Sequence, residues 1–265
     1  MKIVTFIKRD FRIMFTYKFA MVFNYMNMLF NLLIFILFVK MFGIRFLKSL
    51  EGYGGDVISY IILGTMGWSY LWSAMGAASQ SMRKEMSIGT FEPIFLTPTS
   101  PLTIVIAYTT WGIFMSTLSI ALFLGIAISL FDVRLNANYL LTFTLLILSL
   151  LMMIGFGLMI AGLNVYVKQV GAVVSIFQRI AYFLCGVLFP ISVFPSYIQT
   201  ISKILPFYYA IKGLRLSLMV NPELDVIFPY IIILFILSAV SLVSGIHFFK
   251  KGLDKARKEG SLAYY

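Results

Sequence analysis

The chain has 265 residues, of which 61% are hydrophobic and 12% charged, with a formal net charge of +11. Soluble domains carry roughly 45–50% apolar and about 25% charged residues, so this composition belongs to a polytopic membrane protein. One cysteine, Cys185, and one histidine, His247, exclude an internal disulfide, a multi-thiolate metal site and a paired-histidine zinc site.

In residues 1–18, Ile3, Ile7, Phe11, Met14 and Phe15 recur at helical spacing opposite Lys8, Arg9, Arg12 and Thr16. The pattern predicts an amphipathic helix lying along the inner membrane surface. A cytosolic extension of the first span is the other reading. The segment does not look like a cleavable signal, because the apolar run behind it is long enough to stay in the bilayer.

Six apolar segments reach the ~20 residues a spanning helix needs. They run from Phe19 to Val39, Val57 to Ser79, Leu102 to Leu130, Tyr139 to Leu163, Gly171 to Phe189 and Val226 to Phe249. None has the alternation of a membrane barrel. The expected fold is all-α: one integral transmembrane domain over 1–265. Lys2, Lys8, Arg9, Arg12 and Lys18 precede the first span, and Lys250, Lys251, Lys255, Arg257 and Lys258 lie in the tail, 250–265. Such clusters place both termini in the cytoplasm, and with them the loop between spans two and three. The positive charge is thereby a matter of orientation, not of nucleic-acid binding.

Polar residues inside the spans fall in stripes. Asn24, Asn27 and Asn31 share one face of span one. Thr65, Ser69, Ser73, Gly76, Gln80 and Arg83 fall within roughly an 80° sector of span two. Small and hydroxyl residues commonly mediate helix packing, which is the default for both stripes; the alternative is a stripe facing a transport pathway. Ser238, Ser241 and Gly245 of span six read as packing. Arg179, ~12 Å into span five, lines a pathway or holds an anionic headgroup, or else span five starts later and the side chain snorkels inward. His247 reads as an interfacial anchor.

The polar stretch "MRKEMSIGTFEPIFLTPTSP", within residues 80–101, is built as a hairpin. Helix two continues into it through Arg83 and Glu85, and Gly89 offers a turn. Thr90 then suits an N-cap, Glu92 faces the positive helix end, and Pro93 is tolerated in a first turn. Thr97-Pro98 stops the short helix. Its Phe91, Ile94, Phe95 and Leu96 need an apolar partner: a docked protein or the membrane interface. Further on, Pro190, Pro195 and Pro206 interrupt any continuous helix, while Tyr197, Ile198, Ile201, Ile204 and Leu205 keep helical spacing. Residues 190–215 are either short broken helices buried against protein or an interfacial loop.

"RKEMSIGTFEPIFLTPTSP" resembles the R-x-x-x-x-GT-hydrophobic-E-x-(hydrophobic)₃-TP-x-SP pattern of permease subunits of type-2 ABC exporters. "CGVLFPISVFPSYIQTISKILPFYYAIKGLR", from Cys185 to Arg215, is similar to the second landmark of that family, although its usual small residue beside Gly186 is Cys185 here. The resemblance implies a permease dimer, each copy docked on a cytoplasmic ABC ATPase. It assigns ATPase coupling to Arg83, Glu85, Gly89, Thr90, Phe91, Glu92, Pro93, Thr97 and Pro98. It assigns an outer gate of re-entrant helices to Phe189, Pro190, Pro195, Pro206 and Tyr209. Thr65, Ser69, Ser73 and Arg179 are the pathway candidates.

No G-x-x-x-x-G-K-[ST] occurs, so the chain has no P-loop of its own, and ATP and Mg are expected on the partner ATPase. The expected function is export of an amphiphile (a drug, lipid or lipid-linked glycan) from the cytoplasmic or inner membrane, by alternating access in a homodimer among membrane lipids. The chain itself is expected not to be an enzyme. Two alternatives are an intramembrane lipid-modifying enzyme and an ion-coupled secondary transporter. The first lacks a paired-acid motif among Asp10, Glu85, Glu92, Asp254 and Glu259, and the second lacks an acid inside the six spans.

Overall fold

Apolar runs of this length must satisfy their backbone internally, and helices do so within one segment. The computed structural model describes residues 8–12, 19, 22, 23, 26, 30, 33, 56–89, 100–131, 133, 135–164 and 170–258. Residues 8–12 are helical, and the elements after them are α1 (Val57–Ile88), α2 (Pro101–Phe131), α3 (Tyr139–Asn164), α4 (Val170–Leu184), α5 (Ser196–Ile204), α6 (Pro206–Met219) and α7 (Leu224–Lys258), with a 3-10 turn at Ile191–Val193 before α5. No strand occurs among the described residues. Helices α2, α3 and α7 are each long and apolar enough to cross a bilayer. The chain is an all-α integral membrane protein.

Four predicted spans correspond to α1, α2, α3 and α7, of which α1 runs on to Ile88 and α7 to Lys258. In the predicted first span, Phe19, Val22, Phe23, Met26, Phe30 and Leu33 are helical and exposed, a single apolar stripe. Asn24, Asn27 and Asn31 lie outside the described residues.

Span five departs from expectation. Its apolar run continues to Phe189, but α4 stops at Leu184. Gly186 takes φ +73, a conformation that ends helices, and its amide donates back to the Phe183 carbonyl at 3.3 Å.

Lipid gives helices no hydrophobic reason to associate, so close packing has to hold them. Helix α3 lies between α1 and α7 and meets both through small residues. A Cβ on Gly245 of α7 would come within 2.3 Å of the Gly155 carbonyl oxygen, and one on Gly252 within 2.3 Å of the Gly162 oxygen. On the other side, a Cβ on Gly157 would meet Ala78 of α1 at 2.6 Å. The packing role expected for Gly245 and Ser241 is the one observed, since Gly155 also sits directly on Ser241.

Candidate functional site

The polar stripe of α1 faces a cavity of about 730 Å³ between α1, α2, α3 and the start of α4. Ser69, Ser73, Gly76, Gln80 and Arg83 of the predicted stripe line it; Thr65 does not, and its hydroxyl donates to the Ile62 carbonyl at 3.0 Å. Packing and lining are not exclusive here. Ser73 lines the cavity and also shares a short hydrogen bond with Ser116 of α2, and one turn away Tyr70 and Thr117 pair at 2.7 Å. Asn164, at the end of α3, donates to the Ser79 carbonyl at 2.9 Å and ties α3 to α1.

The two ends of the cavity differ. At one, Gln80, Arg83 and Lys84 are exposed. At the other, Trp68 and Trp72 stack with centroids 5.1 Å apart and are buried. Behind them stands Phe207, the second residue of α6, which packs on Trp68, Trp72, Phe156 of α3 and Phe177 of α4 at 5.5–6.1 Å. An aromatic wall of this kind combines large buried area with defined edge-to-face geometry. Sequence reasoning missed it, because aromatic residues in apolar spans look alike whether they face lipid or protein. All three tryptophans of the chain, Trp68, Trp72 and Trp111, line this one cavity.

The segment after α4 is broken into short helices, and each predicted proline starts one. Pro190 caps the 3-10 turn, Pro195 caps α5 and Pro206 is the first residue of α6, positions where a missing amide costs nothing. Helix α6 turns back into the bundle. Phe207 at its start is buried in the aromatic wall, while Ser217 near its end bonds Thr142 at 3.0 Å and accepts from the Asn138 amide at the start of α3. Tyr209 donates to the Lys203 carbonyl at 2.9 Å, closing the corner between α5 and α6. Phe189 is half-buried in the turn before Pro190.

Arg215 fixes α6 to the turn that follows α4. Its guanidinium is 3% exposed and donates to the carbonyls of Gly186 and Val187, each at 2.9 Å. Tyr60 of α1 donates to the same Gly186 carbonyl at 3.1 Å, and its ring lies 3.5 Å from the guanidinium carbon. A buried charge is tolerable when hydrogen bonds and an aromatic face replace water, as they do here.

At the opposite end of α1, Glu85 is 1% exposed and its carboxylate accepts from Arg9 at 3.1 Å and, through a short hydrogen bond, from Tyr108 of α2. Arg9 also donates to Tyr108 at 2.6 Å and to Asp10 at 3.1 Å, and Phe11 meets Trp111 edge-to-face. Burial works against the Arg9 charge, but Tyr108, Asp10 and Glu85 outweigh it and hold the guanidinium above its ordinary pKa. The amphipathic arm is therefore clamped onto α1 and α2. Of the predicted coupling residues, Glu85 is committed to this internal clamp and Arg83 to the cavity. Gly89 has φ +74 and ends α1, the turn expected of it. Thr90, Phe91, Glu92, Pro93, Thr97 and Pro98 lie outside the described residues. Arg179 is exposed on α4, where its neighbour Gln178 lines the cavity.

Long apolar helices around a polar chamber, with short helices turned back at one end and a basic arm clamped at the other, define a multi-pass membrane transport protein. The chain belongs to the ABC-2 type transporter family, whose profile matches residues 1–219. It is a transport permease and not itself an enzyme; ATP hydrolysis belongs to a separate ATPase subunit with which the family works. No curated protein sequence matches the chain.

Proposed function

We propose that this permease exports an amphiphile from the cytoplasmic membrane as a homodimer, by alternating access driven by ATP and Mg on the partner ATPase. The observation that carries the reading is the unlike ends of the cavity. Its Arg83–Lys84 end is exposed, and at its other end Trp68 and Trp72 are buried against Phe207 of the turned-back helix. Positive residues favour the cytoplasmic side, so the arm, Arg83 and the tail face inward and the Arg215 contact faces outward. The cavity is then a chamber that loads from the inner side.

Ser69 and Ser175 on its flank are exposed, and a second copy packed there completes the wall. The hairpin from Gly89 to Pro98 transmits ATPase closure through α1. Helices α1 and α4 then part around Phe207, and the segment from Phe189 to Arg215 opens outward.

ATP hydrolysis and transport by the reconstituted permease–ATPase complex test the reading. Gly89→Pro forces a φ near −65° on a residue that needs +74, and Glu92→Lys reverses the charge at the start of the proposed coupling helix. Both changes are expected to separate ATP use from transport. Transport coupled at wild-type levels in both variants contradicts the coupling role.

A further inference from the structure

The chamber has a sign. Its charged lining residues are Arg83 and Lys84, and no acid lines it among the described residues. The acid nearest in sequence, Glu85, does not line it; it is 1% exposed and held by Arg9 and by Tyr108 of the wall. The Arg83 guanidinium lies against Gly171 of α4, where a Cβ would stand 3.0 Å from Nη1. A bare residue on the facing helix thus seats the cation in the cavity wall. Between the basic end and the tryptophans the wall offers amides and hydroxyls: Gln80, Gln178, Ser73 and Ser175.

We infer that the chamber selects organic anions. It takes an acidic group (phosphate, sulfate or carboxylate) at Arg83 and a flat or apolar portion against Trp68 and Trp72. This deepens the export reading and rests on it. Arg83 and Trp72 are separated along α1 by about 16 Å at 1.5 Å per residue. With a volume of about 730 Å³, inside the ~300–1,000 Å³ of ordinary ligand pockets, the chamber holds one elongated small molecule or one headgroup, not a folded polymer. Guanidinium donors match acid oxygens and repel a cationic amphiphile of the same shape. The acid group comes either on a free amphiphile or on an anionic lipid headgroup, and both present the same chemistry to Arg83.

The tryptophans provide the test, since all three of the chain line the chamber and report its occupancy without a label. The permease–ATPase complex in phosphatidylcholine nanodiscs is titrated with decyl sulfate, decyltrimethylammonium and decyl maltoside, and tryptophan emission and ATP hydrolysis are followed together. Decyl sulfate is expected to change the emission saturably at a concentration at least tenfold below that needed for the cation. Arg83→Gln should abolish that preference, and Arg83→Lys should keep most of it, which separates charge from folding.

Discs containing phosphatidylglycerol distinguish the sources. Weakened decyl sulfate binding in them assigns the site to a lipid headgroup; unchanged binding assigns it to a free amphiphile. Equal or tighter binding of the cation, or a preference untouched by Arg83→Gln, overturns the anion assignment. If ATP hydrolysis persists in that case, the export reading survives; a complex that hydrolyses no ATP defeats the export reading itself.

Discussion

Gly64 and Arg215 share one space: a Cβ on Gly64 would lie 1.8 Å from Nη2 of Arg215 and 2.5 Å from the Val187 carbonyl that Arg215 binds. The absence of a side chain on α1 is what lets α6 lock onto the end of α4. Gly64→Ala is expected to cost about 1–3 kcal/mol through overpacking, seen as a lowered melting temperature of the purified permease. Arg215→Lys loses the planar fork that reaches two carbonyls and should also destabilise. Because both act on one contact, the double variant should fall short of the sum. Full additivity would mean that the two residues act separately.

The clamp on the basic arm gives a second prediction. Arg9→Ala removes the Arg9 hydrogen bond and ion pair from the buried Glu85 carboxylate, at an expected cost of about 2 kcal/mol. Glu85→Gln removes the charge that needs the partner. The Arg9→Ala change should therefore cost less in a Glu85→Gln background, and denaturation of all four proteins measures the difference.

The seam between α3 and α7 gives a third. Gly245→Ala and Gly252→Ala each push a methyl into a backbone carbonyl and should destabilise by about 1–3 kcal/mol. Gly125→Ala, where nothing lies within 4 Å of the added Cβ, should be neutral or stabilise α2 slightly, because alanine favours helix by about 1 kcal/mol. Thermal unfolding of the three variants in one detergent checks both signs.

Which of these features were legible in the sequence follows from their range. Local chemistry was readable: Gly89 as a turn, Pro190, Pro195 and Pro206 as breaks between short helices, and the α1 stripe at 100° per residue. Hydropathy could not place the end of α4, because Val187, Leu188 and Phe189 continue the apolar run past Gly186. The partners of Glu85 and Arg215 were hidden for a different reason. Arg9 lies 76 positions from Glu85, and Gly186 lies 29 from Arg215, so no local pattern joins them. The resemblance assigns Glu85 to coupling, and nothing local in the sequence shows that its side chain would be buried beside Arg9 and Tyr108. The aromatic wall depends on which way Trp68, Trp72 and Phe207 face, and that is set only when α6 turns back into the bundle.

The central claim is that the Ser73 chamber opens to the basic side at rest and changes sides with ATP. A single cysteine tests it: Cys185, the native thiol, is buried and is replaced by serine, and Ser73→Cys supplies the probe. In oriented vesicles containing the permease–ATPase complex, a membrane-impermeant maleimide is applied from each side with and without an ATP-trapped ATPase. The account predicts labelling from the Arg83 side without nucleotide and loss of that labelling in the trapped complex. Labelling that is indifferent to nucleotide, or that comes from the Arg215 side at rest, would contradict it.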